Sequence, residues 1–199
     1  MSAESGVGVV DGAARVRASL TGAIALHQQT RDAELQPVVD AAAAIVRSIA
    51  AGGKLLVFGN GGSAADAQHM AAELVGRFER NRRGLAAIAL TSDASVLTSV
   101  GNDEGFERVF ARQVEALGRP GDVALGISTS GRSANVVAAL TAARARGVET
   151  VALTGRDGGE AGRAAAIHVN VASDSTPRVQ EVHRTLLHAI CDLVESAFS

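Results

Sequence analysis

Residues 121–136 read GDVALGISTSGRSANV. From Asp122 to Ser128 the chain passes through Val123, Ala124, Leu125 and Ile127 with no polar alternation. That is the pattern of a strand buried on both faces, and therefore one lying parallel to its neighbours. The run breaks at Ser128-Thr129-Ser130-Gly131-Arg132-Ser133, and apolar residues then return at helical spacing over 133–146. Strand, tight loop and helix in that order make a repeating α/β unit.

Outward from this segment the same alternation recurs. Apolar runs at 54–58, 85–90, 150–154 and 167–171 predict four more strands. Helical patterns separate them at 64–78, 93–101, 105–117 and 158–165, and a long helix is predicted over 177–198. Two further helices are expected ahead of the first strand, over 14–29 and 37–51, the second with Pro37 in its opening turn and Gly52-Gly53 closing it. The expected architecture is α/β: a three-layer αβα sandwich around a five-stranded parallel sheet, with N-terminal helices and a long C-terminal helix. Residues 14–199 are expected to form one domain and residues 1–13 a loose tail.

Composition narrows the function classes. The 199 residues include 19 Lys plus Arg against 21 Asp plus Glu, a formal charge of -2, so the body carries no excess cation for a phosphate backbone. Five Phe with no Trp or Tyr leave few stacking platforms for single-stranded nucleic acid. The single cysteine, Cys191, falls in an apolar pattern with Leu187, Ile190 and Val194, which suits a reducing compartment. No uninterrupted apolar run of about 18 residues is present. A cytoplasmic protein without nucleic-acid or membrane partners is expected.

In a parallel sheet, ligands bind outside the carboxyl ends of the strands. Two loops there are unusual. Gly59-Asn60-Gly61-Gly62-Ser63 opens a helix with three glycines, which let a ligand approach the backbone, and with Ser63 as a candidate cap. It matches neither the dinucleotide fingerprint nor a nucleotide P-loop. The second loop brings Ser128, Thr129, Ser130 and Ser133 together, four hydroxyls next to the amides of a helix start. Such a group can surround an oxyanion without a fixed positive charge. Capping and a Ser/Thr turn would use one or two of these hydroxyls.

Two helices carry ionisable groups. His69 and Glu73 are four residues apart, on one face of the helix after the first loop, where they form either a surface pair or the start of an acid/base or metal site. The last helix carries Gln180, Glu181, His183, Arg184 and His188. Glu181 and Arg184 read as its solvated side, whereas His188 lies among Leu186, Leu187, Ala189 and Ile190. Asn102-Asp103 reads as a turn just past a helix end.

Taken jointly, GNGGSAADAQHMAAEL (59–74), SVGND (99–103), GDVALGISTSGRSANV (121–136), LTGRDGG (153–159) and STPRVQEVHRTLLH (175–188) resemble the phosphoheptose isomerases of the sugar-isomerase (SIS) domain superfamily. The resemblance runs from about residue 14 to the end, in five separated segments in the same order. It implies a homotetramer with active sites between subunits, interconverting the phosphorylated seven-carbon sugars sedoheptulose 7-phosphate and D-glycero-D-manno-heptose 7-phosphate.

Carried over, Asn60, Gly61, Gly62 and Ser63 with Asn102, Asp103 and Gln180 would contact the sugar. Ser128, Thr129, Ser130 and Ser133 would hold its phosphate. His69, Glu73, Gln180 and His188 would bind one zinc ion per subunit, although Gln180 and His188 stand about 12 Å apart along a straight helix and about 80° apart around it. Glu73 would act as the base that removes the C1 proton, and also touch substrate, while His188 would serve the sugar oxygen as acid. A non-catalytic SIS module binding a sugar phosphate or a replication-initiator protein, and an isomerase of another phosphosugar, use the same loops.

Overall fold

The computed structural model describes residues 11–199. Residues 1–10 of the expected tail lie outside the described residues, and Gly12 and Ala13, also expected in the tail, already belong to the first helix. The elements run α1 Gly12–Arg31, α2 Gln36–Ala50, β1 Leu55–Gly59, α3 Gly62–Val75, β2 Ala87–Ala89, α4 Ala94–Asp103, α5 Ala111–Leu117, β3 Val123–Ser128, α6 Ala134–Ala145, β4 Glu149–Gly155, α7 Gly159–Ala164, β5 Ile167–Val171 and α8 Thr176–Ser196.

The five strands form one parallel sheet in the order β2-β1-β3-β4-β5. β1 therefore stands between the strand that follows it and the one after that, and the chain changes direction across the sheet between β1 and β3. In such sheets the crevice at that switch is where ligands are received. The register pairs Phe58 with Gly126 and Gly59 with Ile127, so the loops after β1 and β3 leave the sheet side by side.

Alternation along each strand builds two cores. Leu55 and Val57, with Leu125 and Ile127, pack beneath α2, α3 and α8 against Ile45, Met70, Leu74, Leu187 and Cys191. Leu56, Phe58 and Ala124 face the other way, onto Phe110, just ahead of α5, and onto Val114, Leu140 and Ala161 of α5, α6 and α7. Burying both faces is what makes the central strands continuously apolar. Cys191 is fully buried, and burial raises its thiol to about 12.

The sheet edge is shorter than its apolar run. Strand geometry holds only over Ala87–Ala89 of the expected strand 85–90; Ala86 and Leu90 still hydrogen-bond to β1, while Leu85 leaves to donate its amide to the Leu74 carbonyl at the end of α3. The helix expected over 105–117 is divided into a 3₁₀ turn, Phe106–Arg108, and α5. On α1, Val16, Leu20 and Ile24 are spaced by four residues and stand about 60% exposed, while Leu26 faces the core.

Candidate active site

The first loop is built differently from its expected form. Gly61, at φ +56°, is the residue from which α3 starts, and Ser63 does not cap the helix. Ser63 lies inside the first turn, buried, its amide donating to the Asn60 carbonyl at 3.0 Å and its Cβ packed on Gly59. A positive φ suits glycine and spares the loop a side-chain cap. The Gln180 amide lies against Gly62, in space that a Cβ there would take, so a side chain at this position would displace the amide.

The hydroxyl loop is convergent. Ser128 Oγ lies 2.9 Å from Ser133 Oγ and 3.4 Å from Ser130 Oγ. Ser133 stands at the start of α6 without a side-chain capping bond, so the hydroxyls face one another rather than the helix end. Arg132 turns away to Asp157, at 3.2 Å on the surface. Thr129 is half-buried and its carbonyl packs on Gly155. Gly131, at φ +65°, presses on Gly158 and Gly159 and accepts the Ala161 amide at 2.9 Å, which fixes the loop to the start of α7.

A residue absent from the sequence reading links the two loops. Asn135, buried in the first turn of α6, exchanges two amide hydrogen bonds with Asn60, of 2.8 and 2.9 Å. Its place in the segment SANV gave no periodic signal, because the pairing spans 75 residues.

The ionisable groups meet where α3 packs on α8. His69 Nε2 lies 2.8 Å from His188 Nε2 and 3.4 Å from Glu73 Oε1. One imidazole therefore donates to the other, and the Phe78 ring lies 5.5 Å from that of His188, tilted by 36°. Burial, then the neighbouring His69 and Arg184, push His188 below the ordinary imidazole range, so the neutral ring is favoured. The loop that carries Phe78 is held by Glu195, buried, which accepts the amides of Phe78, Glu79 and Arg80 at 2.7–2.9 Å. Arg82, also buried, stands 3.1 Å from Glu195 and donates to the carbonyls of Glu73 and Leu74 at 2.8 and 2.9 Å, closing the end of α3 beside Glu73.

Among the described residues no trio of His, Cys, Asp and Glu is spaced as a ready-made metal cage. The nearest approach is His69, Glu73 and His188, two imidazoles and a carboxylate, a donor set found at catalytic zinc. Ligand atoms around tetrahedral zinc stand about 3.3 Å apart when each bond is about 2.0 Å. The His69–Glu73 spacing already has that value, and the two imidazoles need to part by about half an ångström. In donor chemistry, two imidazoles and a carboxylate, these residues suit the ion. Gln180 lies away from them, against Gly62.

Two expectations are corrected here. Asn102 and Asp103 are the last two residues of α4, not a turn beyond it; they are exposed, and the Asn102 amide donates to Asp103 at 2.7 Å. No hydrogen bond joins them to either loop among the described residues. Arg184 is not merely on a solvated side, since its Nε donates to the buried Asp66 at 2.6 Å. Glu181 pairs with Arg178 at 2.9 Å, and its second oxygen is buried.

A parallel sheet whose switch-point crevice carries a glycine loop and a hydroxyl loop is the frame of the sugar-isomerase class, and the SIS domain family model matches residues 20–155. The phosphoheptose isomerase of Geotalea daltonii is 55% identical over 173 residues, covering 85% of this chain and 90% of that one. That of Geobacter sulfurreducens is 60% identical over 148 residues, 74% and 78% of the two chains. Among solved structures, the phosphoheptose isomerase of Neisseria gonorrhoeae superposes with a TM-score of 0.87 at 48% identity, over 92% of this chain and 97% of that one. The enzyme of Francisella tularensis gives 0.88 at 37% identity, with the same coverage. The chain belongs to the phosphoheptose isomerase family of SIS-domain proteins.

Proposed function

We propose that the protein interconverts sedoheptulose 7-phosphate and D-glycero-D-manno-heptose 7-phosphate by moving one proton between C1 and C2 through an enediolate. The observation that carries this reading is the meeting of Glu73, His69 and His188 at one seam, in a chain more than half identical to phosphoheptose isomerases. The phosphate end is received by the hydroxyls of Ser128, Thr129, Ser130 and Ser133 with the amides at the start of α6. Neutral donors suffice there because a helix start favours an anion. The sugar lies along Asn60, Gly61, Gly62 and Ser63.

Glu73 takes the C1 proton of the ketose as a carboxylate and returns it at C2. His188, held neutral, donates to and accepts from the sugar oxygens as the carbonyl moves. The ring is held in place by its contacts with His69 and Phe78. His69, Glu73 and His188 would hold a zinc ion, with Gln180, which now rests against Gly62, as the further donor the resemblance implies; when bound, the ion would supply polarisation of the carbonyl.

The same reading takes the protein to be a cytoplasmic homotetramer whose sites are completed between subunits. The outward stripe Val16, Leu20 and Ile24 supports self-association, as apolar side chains repeated on one helix face seek cover. Asn102 and Asp103, exposed and apart from the loops of their own chain, are then available to a neighbouring site. No helix among the described residues is long and apolar enough to cross a membrane. A net charge of -2 supports a partner list without nucleic acid.

The test is incubation of metal-depleted and zinc-replete protein with sedoheptulose 7-phosphate in deuterated water. Aldoheptose 7-phosphate that forms with zinc and carries deuterium at the transferred position is the expected result. Tight binding of the ketose without product or exchange sinks the reading.

A further inference from the structure

α3 and α8 meet in three successive steps. At the first, Gly62 leaves room for the Gln180 amide. At the second, Asp66 accepts from Arg184 Nε at 2.6 Å. At the third, His69 and His188 share a hydrogen bond of 2.8 Å. The steps advance by four and three residues along α3 and by four along α8, so each helix offers one stripe to the other.

The middle step joins the buried Asp66 carboxylate to Arg184, whose side chain stays partly open to solvent. Asp66 is 1% exposed, and its second oxygen is buried without a hydrogen-bond partner. Arg184 is the one cation within ion-pair distance of it among the described residues. A buried carboxylate stripped of its counter-charge is strongly unfavourable, so the helices hold the distance that keeps the pair closed. Asp66 lies three residues before His69 and Arg184 four before His188. Any shift that opens the ion pair therefore opens the imidazole contact one turn away.

We infer that Asp66 and Arg184 are positioning residues for the isomerisation, fixing α3 against α8 at the separation where His69, Glu73 and His188 act together. For its kinetic arm the inference rests on the isomerase reading. Neither residue touches the reacting carbons. Their effect falls on turnover, since a misplacement of about 1 Å in a catalytic constellation costs on the order of a hundredfold in rate.

The experiment compares the whole protein with Arg184→Met, which keeps the apolar stem, and Arg184→Lys, which restores a cation. Two readouts are taken: kcat and KM for the heptose phosphate, and the downfield imidazole N–H signal of the hydrogen bond between His69 and His188 in ¹⁵N-histidine-labelled, metal-free protein. Arg184→Met is expected to lower kcat about a hundredfold with KM within about threefold, and to lose the signal. Arg184→Lys is expected to regain about a tenth or more of kcat and the signal with it.

Parent kcat per folded molecule in Arg184→Met, or an undisturbed imidazole signal, overturns the inference. If Arg184→Met does not fold, the double variant D66N/R184M removes the buried charge together with its partner, and the same two losses are expected of it. Their absence there overturns the inference equally. A parent protein that turns over no heptose phosphate sinks the isomerase reading instead, and the imidazole signal still decides the positioning role.

Discussion

Asn60 and Asn135 grip each other by two reciprocal amide hydrogen bonds, one standing in the glycine loop after β1 and the other in the first turn behind the hydroxyl loop. The two loops are therefore tied to each other at this point. Each amide keeps one N–H and one lone pair beyond those used in the pair, and Asn60 can present its remainder to a sugar hydroxyl in a fixed direction. Asn135→Ala leaves the Asn60 amide unpaired in a half-buried place. A loss of about 1–3 kcal/mol in stability is expected from urea unfolding, with KM raised and kcat changed less. An unchanged KM in folded protein counts against the coupling of the loops.

Gly131 is expected to be intolerant of any side chain. Its φ of +65° costs an L-residue about 1–2 kcal/mol, and a Cβ would also strike the Gly158 carbonyl. Gly131→Ala should lower the melting temperature and weaken binding of inorganic phosphate, read by calorimetry, because the Ser128, Ser130 and Ser133 hydroxyls lose their common focus. Parental phosphate affinity would show that the loop does not depend on this contact.

Glu73→Gln keeps the size of the side chain and removes its basicity. Sugar-phosphate binding should persist within a few-fold, while turnover and solvent deuterium exchange fall by at least about a hundredfold, the scale of a lost general base. Near-parental turnover removes Glu73 from the role of base.

His183 is fully buried, and its Nε2 donates to the Thr154 carbonyl at 2.9 Å. Burial lowers its pKa to about 4, against the pull of that hydrogen bond and of Asp66. The unfolded chain, with an ordinary imidazole near 6.5, binds the proton first as pH falls. The contribution of a neutral His183 to stability is therefore complete above about pH 6.5 and is lost progressively toward pH 4, by about 3 kcal/mol in all. Denaturation midpoints measured between pH 7 and 4.5 should fall less steeply for His183→Gln than for the parent. Identical slopes would place the acid sensitivity elsewhere.

The sheet was readable because each central strand is buried on both faces, and Leu55 to Phe58 or Val123 to Ile127 can be nothing but apolar. The hydroxyl loop was readable for a similar reason: four hydroxyls in six residues exceed what capping uses. Local patterns fail where a residue answers to something distant. Ser63 looked like a cap, yet Gly61 takes that place by adopting a backbone that a side chain would resist. Arg184 looked solvated because its partner, Asp66, is 118 residues away. Asn135, Arg82 and Glu195 are silent in sequence on the same account. The Leu85 to Leu90 run shows the converse error, an apolar stretch whose first residue serves the end of α3 rather than the sheet.

The hydroxyl loop has a kinetic corollary. Its one arginine is engaged with Asp157, so under the proposed reading neutral groups would face a phosphate that is identical in the ketose and the aldose. A cation there would deepen both wells equally, lowering KM in each direction while adding nothing to the chemical step. A grip made of hydroxyls and helix amides would keep the unchanging end of the sugar only as firmly as orientation requires, and let either isomer depart.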